Sequence, residues 1–188
     1  AGPANRQGRI AADVIAGKPR RFRGVQGTAV CGLFGLTAAL TGETEKSLTA
    51  AGRKDYAKVY LHPGHHVAYY PDSRPIFLKL LFGKSDGKVL GMQAVGEEGV
   101  EKRVDVAAMA IQLGGTVMDL EEAELCYAPQ YGAAKDPVNI AGMIAANVMR
   151  GDLALADWGD IEKEGKILLD VRDESEFNSG HVPGAVNI

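Results

Sequence analysis

The chain is expected to be α+β: an antiparallel sheet with flanking helices, followed by the first part of an α/β unit. Three observations predict this. The apolar runs PIFLKLLFG and KVLGMQAVG are separated by KSDG, a polar turn containing glycine, so they form an antiparallel hairpin. Between Val100 and Leu113, the residues Val100, Val104, Ala108 and Ile111 follow a 3.6-residue period that stops at Gly114-Gly115, which predicts a packing helix. The last stretch, KILLDVRDESEF, opens with a buried-type strand and passes into a short helix.

The remaining elements follow in chain order. Residues 4–16 place Ile10, Val14 and Ile15 at near-helical spacing, and Gly17 with Pro19 stops that helix. Ala1 to Asn5 form the approach to it. After the basic turn KPRRFRG, the stretch GTAVCGLFGLTAALTG is β-prone, and ETEKSLTAAG has helix formers and a glycine stop. YAKVYLHP is a further strand. The acidic run DLEEAE is helix-like, and DPVNIAGMIAANVMRG is a helix whose small residues allow backbones to approach closely. Residues 151–165, acidic and polar around the single tryptophan, are expected to be a linker. Asp173, three residues before Glu176, offers a capping box for a short helix, and a Gly-His-Val-Pro-Gly turn leads to one more strand.

Composition narrows the functional classes. With 188 residues and 46% hydrophobic content the chain can bury a real core. Lys and Arg number 21 against 24 Asp and Glu, a formal net charge of −3, so no global basic surface attracts nucleic acid or anionic lipid. VCGLFGLTAAL is broken by glycine and far short of the ~20 residues that cross a bilayer, and no signal or transit sequence is read at the start. Cys31 and Cys126 show no CxxC or paired spacing, which fits a reducing, cytoplasmic setting and small buried thiols. The start without methionine and the stop inside a new α/β unit predict an internal fragment of a longer protein.

Residues 125–139, LCYAPQYGAAKDPVN, pose the chemical question. Asp136 before Pro137 is a helix start, because the carboxylate accepts from an orphan N–H and proline loses nothing at the first helical position. The rest is a stiff non-helical segment in which Pro129 pushes Ala128 towards extended geometry and phenols stand on either side. Those phenols face a core, a partner subunit or a substrate.

A resemblance favours the last two. The stretches AGPANRQGRIAADVIAG, GTAVCGLFGLTAALTG, HHVAYYPDS, FLKLLF with KVLGMQAVG, KRVDVAAMAI and YAPQYGAAKDPVNIAG are collinear with the C-terminal part of the flavin-dependent pyridine nucleotide-disulfide oxidoreductases. They most resemble the coenzyme A-disulfide reductase branch. LLDVRDESEF and GHVPGAVNI resemble the first half of a rhodanese sulfurtransferase domain. The resemblance implies the end of an FAD-binding domain over 1–18, a dimerisation domain over 19–150, the linker over 151–165 and a truncated rhodanese-like start over 166–188. It also implies FAD, NAD(P)H, coenzyme A as substrate or bound ligand, a homodimer, and a small-molecule disulfide or persulfide substrate. The family's GxGxxG units, its redox cysteine and the rhodanese nucleophile are not in the chain, so the fragment alone is expected to be inactive. An NADH oxidase or peroxidase of the same architecture and a purely structural dimerisation module are the competing readings.

By the same resemblance, Ala1, Gly2, Ala4 and Asn5 are cofactor-binding, since the first helix would aim its positive end at the flavin's pyrimidine edge. Tyr69 and Tyr127 are the catalytic candidates, a phenol being able to hydrogen-bond a thiolate or sulfur leaving group while neutral. Packing at an interface is their bland alternative. His66, Tyr131 and Lys135 are substrate-binding candidates, with His66 alternatively a surface turn residue. The HPGHH stretch, His62 to His66, lacks metal-ligand spacing. Lys102 and Arg103 are expected on a solvated helix face. Asp170 and Arg172 suggest a structural ion pair or support for an anion-binding loop, and His181 a turn residue. Cys126 stands where the family often has alanine, which leaves a modified redox behaviour open.

Overall fold

The computed structural model describes residues 2–160 and 167–188; Ala1, residues 161–166 and part of the expected linker lie outside the described residues. The chain divides into two compact units, Ala1–Leu153 and Ala154–Ile188. The first contains α1 (Gly2–Ile15), β1 (Ala29–Leu33), β2 (Leu36–Gly42), α2 (Glu45–Ala50) and β3 (Tyr56–Leu61). It continues with β4 (Ile76–Gly83), β5 (Val89–Gly96), α3 (Val100–Leu113), α4 (Val117–Glu121) and α5 (Pro137–Arg150).

Five antiparallel strands make one sheet in the order β1-β2-β5-β4-β3. The KSDG hairpin is present, closed by Gly83 N–H donating to the Lys88 carbonyl at 2.9 Å. The β-prone stretch resolves into a second hairpin. Its two-residue turn, Phe34 and Gly35, has φ of 51° and 81°, both positive as the tight hairpin turn with matching strand twist demands. That turn was hidden because Phe34 is an unusual residue for positive φ.

Alternation along the strands decides where the core lies. Val59, Leu61, Ile76, Leu78, Leu80, Met92 and Ala94 point to one face, which is covered by Val100, Val104 and Ala107 of α3 and by Val138, Ala141 and Ala145 of α5. Tyr60, Phe77 and Val95 point to the other face and remain exposed. Phe77 and Val95 are cross-strand partners, so they form an apolar pair on the exposed part of that face.

The helix ends are local chemistry. Thr44 and Ser47 form a capping box on α2, Thr116 and Asp119 form one on α4, and Asp136 with Asn139 forms one on α5. Gly114 and Gly151 close α3 and α5 in the left-handed region. Two boundaries differ from expectation. α1 already includes Gly2–Asn5, so these residues are its first turn and not an approach. The DLEEAE run is helical only through Glu121, because α4 stops where Asn139 captures the carbonyls of Leu120, Glu121 and Ala123.

The second unit holds a 3-10 turn (Trp158–Asp160), β6 (Leu169–Asp170), α6 (Glu174–Ser179) and β7 (Val186–Asn187), with β6 and β7 parallel. The Asp173 capping box does not form: its side chain makes no capping hydrogen bond, and the Glu176 N–H donates to the Asp173 carbonyl at 3.0 Å instead. Asp170 and Arg172 form the expected ion pair at 2.6 Å, and Arg172 Nη2 also donates to the Gly180 carbonyl at 2.8 Å. His181 sits in the turn, stacked on Phe177.

Two outcomes are expected. Gly142 of α5 lies against α4, where a Cβ would come within 2.3 Å of Glu121 N and 2.7 Å of the Leu120 carbonyl carbon. Gly142→Ala gains about 1 kcal/mol of helix propensity but forces the helices apart, an overpacking loss of about 1–3 kcal/mol, so the urea midpoint should fall. Hydrogen bonds from Arg172 hold the Asp170 carboxyl at about 2, against an ordinary 3.8. A depressed carboxyl stabilises the fold above its unfolded value and loses that contribution as pH falls through about 2. In Arg172→Ala a carbon-13 titration of Asp170 should move back towards 3.8.

Candidate functional site

Two loops of the first unit bring the expected tyrosines together. Residues 62–75, between β3 and β4, close on themselves: His65 N–H donates to the Arg74 carbonyl at 2.8 Å, Ile76 N–H to the Pro63 carbonyl at 2.8 Å, and Ser73 Oγ to the His66 carbonyl at 2.9 Å. Tyr69 stands outside this closed base, 75% exposed. Residues 122–136, between α4 and α5, turn around Pro129, with the N–H groups of Tyr131 and Gly132 both donating to the Ala128 carbonyl. The segment is non-helical, as Pro129 favours, and presents Tyr127 at 47% exposure.

The phenol oxygens of Tyr69 and Tyr127 are 3.0 Å apart and share a hydrogen bond. Below them Val67 N–H donates to the Gly132 carbonyl at 3.1 Å, tying one loop to the other. The shared bond to Tyr69 raises the pKa of Tyr127 above the ordinary phenol value, with burial adding in the same direction. Two neutral phenols with one proton shared between them leave an outward hydroxyl and lone pairs free. Such a pair can donate to an anionic sulfur and be replenished from its neighbour.

The other candidates separate. His66 is buried, its Nδ1 is 2.9 Å from the Val67 carbonyl oxygen, and its ring packs against His65 and edge-on to Tyr70. It is therefore part of the loop's foundation and not a surface turn residue. Tyr131 and Lys135 are exposed on the same segment as Tyr127. Among the described residues no group of three or more His, Cys, Asp or Glu is placed to hold a metal ion. Cys31 and Cys126 are both free and exposed, contrary to the buried expectation. Cys31 lies on the edge strand β1 and Cys126 in the extended segment, where no layer covers them.

Arg103 overturns the expectation of a solvated face. It is 1% exposed, and its Nε and Nη2 donate to the Asp136 carboxylate at 3.2 and 2.8 Å. Its Nη1 donates to the Gly99 carbonyl at 2.9 Å and its Nη2 to the His65 carbonyl at 2.7 Å. The helical period itself carried the signal, since position 103 shares the stripe of Val100, Val104 and Ala107. Asn139 was also missed. Its amide ties α5 to the end of α4 and the start of the Tyr127 segment through three carbonyls.

The phenol contact has a spectroscopic consequence. A raised phenol pKa means the neutral form is favoured, so Tyr69→Phe should lower the Tyr127 titration towards the ordinary value of ~10. A carbon-13 titration of the tyrosine ring carbons checks this, and an unmoved Tyr127 would mean that the two phenols are not bonded.

Residues 28–136 match the family of the pyridine nucleotide-disulphide oxidoreductase dimerisation domain, and residues 156–188 match the rhodanese-like domain. Coenzyme A disulfide reductase of Staphylococcus epidermidis is 36% identical over 140 residues, covering 74% of this chain and 31% of that protein. Its Staphylococcus aureus counterpart is 37% identical over the same length and shares of the two chains. Reduced CoADR-RHD of Bacillus anthracis superposes with a TM-score of 0.94 at 43% identity, over 99% of this chain and 34% of that one. The NAD-dependent persulfide reductase from A. fulgidus gives 0.87 at 36% identity, over 98% and 33%. The water-forming NADH oxidase from Lactobacillus brevis shares the fold at 20% identity, with a TM-score of 0.68 over 73% and 30%. The chain spans about a third of the length of these relatives. With its five-stranded antiparallel sheet and the match over residues 28–136, the chain belongs to the pyridine nucleotide-disulphide oxidoreductase dimerisation-domain family.

Proposed function

We propose that the chain is the dimerisation and active-site-completing part of a flavin-dependent NAD(P)H reductase of coenzyme A disulfide or persulfide, with a fused sulfurtransferase domain. The observation that carries this reading is the exposed Tyr69–Tyr127 pair, joined at 3.0 Å by two anchored loops. Relatives named coenzyme A disulfide reductase, CoADR-RHD and persulfide reductase support the substrate class. The domain limits of 1–18, 19–150, 151–165 and 166–188, a cytoplasmic setting and a homodimer are part of the same proposal. Among the described residues no helix is long and apolar enough to cross a membrane. The apolar pair of Phe77 and Val95 lies on a face on which a second copy can pack.

The residues at the start of α1 fit a flavin. Its first turn, Gly2–Asn5, has no acidic residue and is exposed, so the N–H groups of Gly2 and Ala4 and the side-chain amide of Asn5 are free of a competing carboxylate. Pro3 contributes no donor. Ala1, proposed with them, lies outside the described residues. When bound, FAD would take up hydride from NAD(P)H and deliver electrons towards a disulfide. The tyrosines have a separate task. A phenol donating to the departing sulfur stabilises it as thiolate, and the second phenol holds the first in place. Tyr131 and Lys135, exposed on the same segment as Tyr127, would meet the polar remainder of a coenzyme A-sized substrate, Lys135 as a cation for phosphate.

Tyr127→Phe in the whole protein removes one donor and keeps the ring. Disulfide turnover should fall on the order of 10²-fold, with reduction by NAD(P)H in the absence of disulfide unchanged. Unchanged turnover would reduce the tyrosines to interface residues, and a slowed NAD(P)H reaction would place Tyr127 on the wrong side of the chemistry.

A further inference from the structure

The two phenols stand on separate loops, and a single buried side chain touches the foundations of both. From α3, the Arg103 guanidinium reaches three places at once: the Gly99 carbonyl at the helix start, the His65 carbonyl in the base of the Tyr69 loop, and the Asp136 carboxylate at the end of the Tyr127 segment. Its Nη2 is the shared point, 2.7 Å from the His65 oxygen and 2.8 Å from Asp136 Oδ2. Each anchor has further consequences. Asp136 also caps α5, accepting from Val138 N–H at 3.0 Å. His65 in turn holds the loop ends together through Arg74, and the adjacent His66 packs beneath Tyr70.

We propose that Arg103 is a positioning residue for the tyrosine pair, setting the separation of Tyr69 and Tyr127 by fastening both loops to one planar guanidinium. This rests on the reading of that pair as the part of the chain that serves the disulfide. Arg103 does not meet substrate: it is 1% exposed and its donors are directed to protein oxygens. The geometry requires arginine specifically. A fixed fork can hold Asp136 side-on and the His65 carbonyl from the same edge, whereas a lysine ammonium is a compact point charge on a flexible stem. The phenol contact spans 58 residues of sequence, so its length depends on how the two loops are held and not on local backbone. The raised Tyr127 pKa, which comes first from its bond to Tyr69, provides a reporter of that length independent of turnover.

The test uses Arg103→Lys in the whole protein, which keeps a cation against Asp136 and so avoids stranding a buried carboxylate. If that variant does not fold, Arg103→Met combined with Asp136→Asn removes both charges, fills the volume and keeps an amide oxygen to cap α5. Two quantities are read on the folded variant: the carbon-13 titration of Tyr127, and steady-state disulfide turnover beside reduction by NAD(P)H alone. The expected result is a Tyr127 titration lowered towards the ordinary phenol value. Turnover should fall on the order of 10²-fold, as for a reacting group misplaced by about 1 Å, with the NAD(P)H reaction intact. A folded variant that is merely less heat-stable, with the Tyr127 titration unmoved, overturns the positioning role whatever its turnover. A moved titration with unchanged turnover upholds the positioning role and refutes the function assigned to the tyrosines.

Discussion

The Arg103–Asp136 ion pair is the constraint that fastens the first unit's two tyrosine-bearing loops to its helices. Burying two charges is expensive, and the pair is tolerable only when every remaining donor and lone pair has a partner. Here Arg103 is met by Asp136, Gly99 and His65, and Asp136 also accepts from Val138 N–H. Among the described residues no buried side-chain nitrogen or oxygen lacks a partner. Removing one member of such a pair leaves an uncompensated charge, typically a loss of 3–5 kcal/mol. The pair therefore acts less as a source of net stability than as a joint between α3, the start of α5 and the two loops above them.

The sheet provides the rigid base for that joint. Because strand side chains alternate, α3 and α5 can cover only one face, and they do so with valines and alanines that bring helix and sheet backbones close. Gly142 brings α5 against α4 in the same way, so the Tyr127 segment leaves a fixed point. The other face keeps Phe77 and Val95 in the open, together with the apolar tip of the β1–β2 hairpin at Leu33, Phe34 and Leu36. Exposed apolar side chains gathered on one side of a sheet are a suitable surface for association with a second subunit.

The tyrosine pair sits at the edge of this scaffold and not inside it. Tyr69 and Tyr127 are both exposed, and their mutual hydrogen bond is made in the open, so water competes with it. Excluding water would strengthen the bond and the electrostatic value of the outward hydroxyl together.

What the sequence by itself determined is local: strands from alternating apolar runs, α3 and α5 from their 3.6-residue period, the cap at Asp136-Pro137 and the stiffness around Pro129. Each depends on dihedral preferences and neighbours within one turn, so a short window contains the whole cause. The motifs quoted from the chain likewise carried its family, now matched over residues 28–136. Tertiary structure alone decided which partners the buried Arg103 meets, that Cys31 and Cys126 are exposed, and that His66 lies beneath a loop. Those outcomes depend on which element covers which face, and no local propensity encodes that. The capping box expected at Asp173 shows the same limit from the opposite side, since the right residue spacing did not turn the carboxylate towards the helix. The contact of two phenols 58 residues apart and the ion pair 33 residues apart arise because closed loops on a packed sheet place distant segments within hydrogen-bond reach.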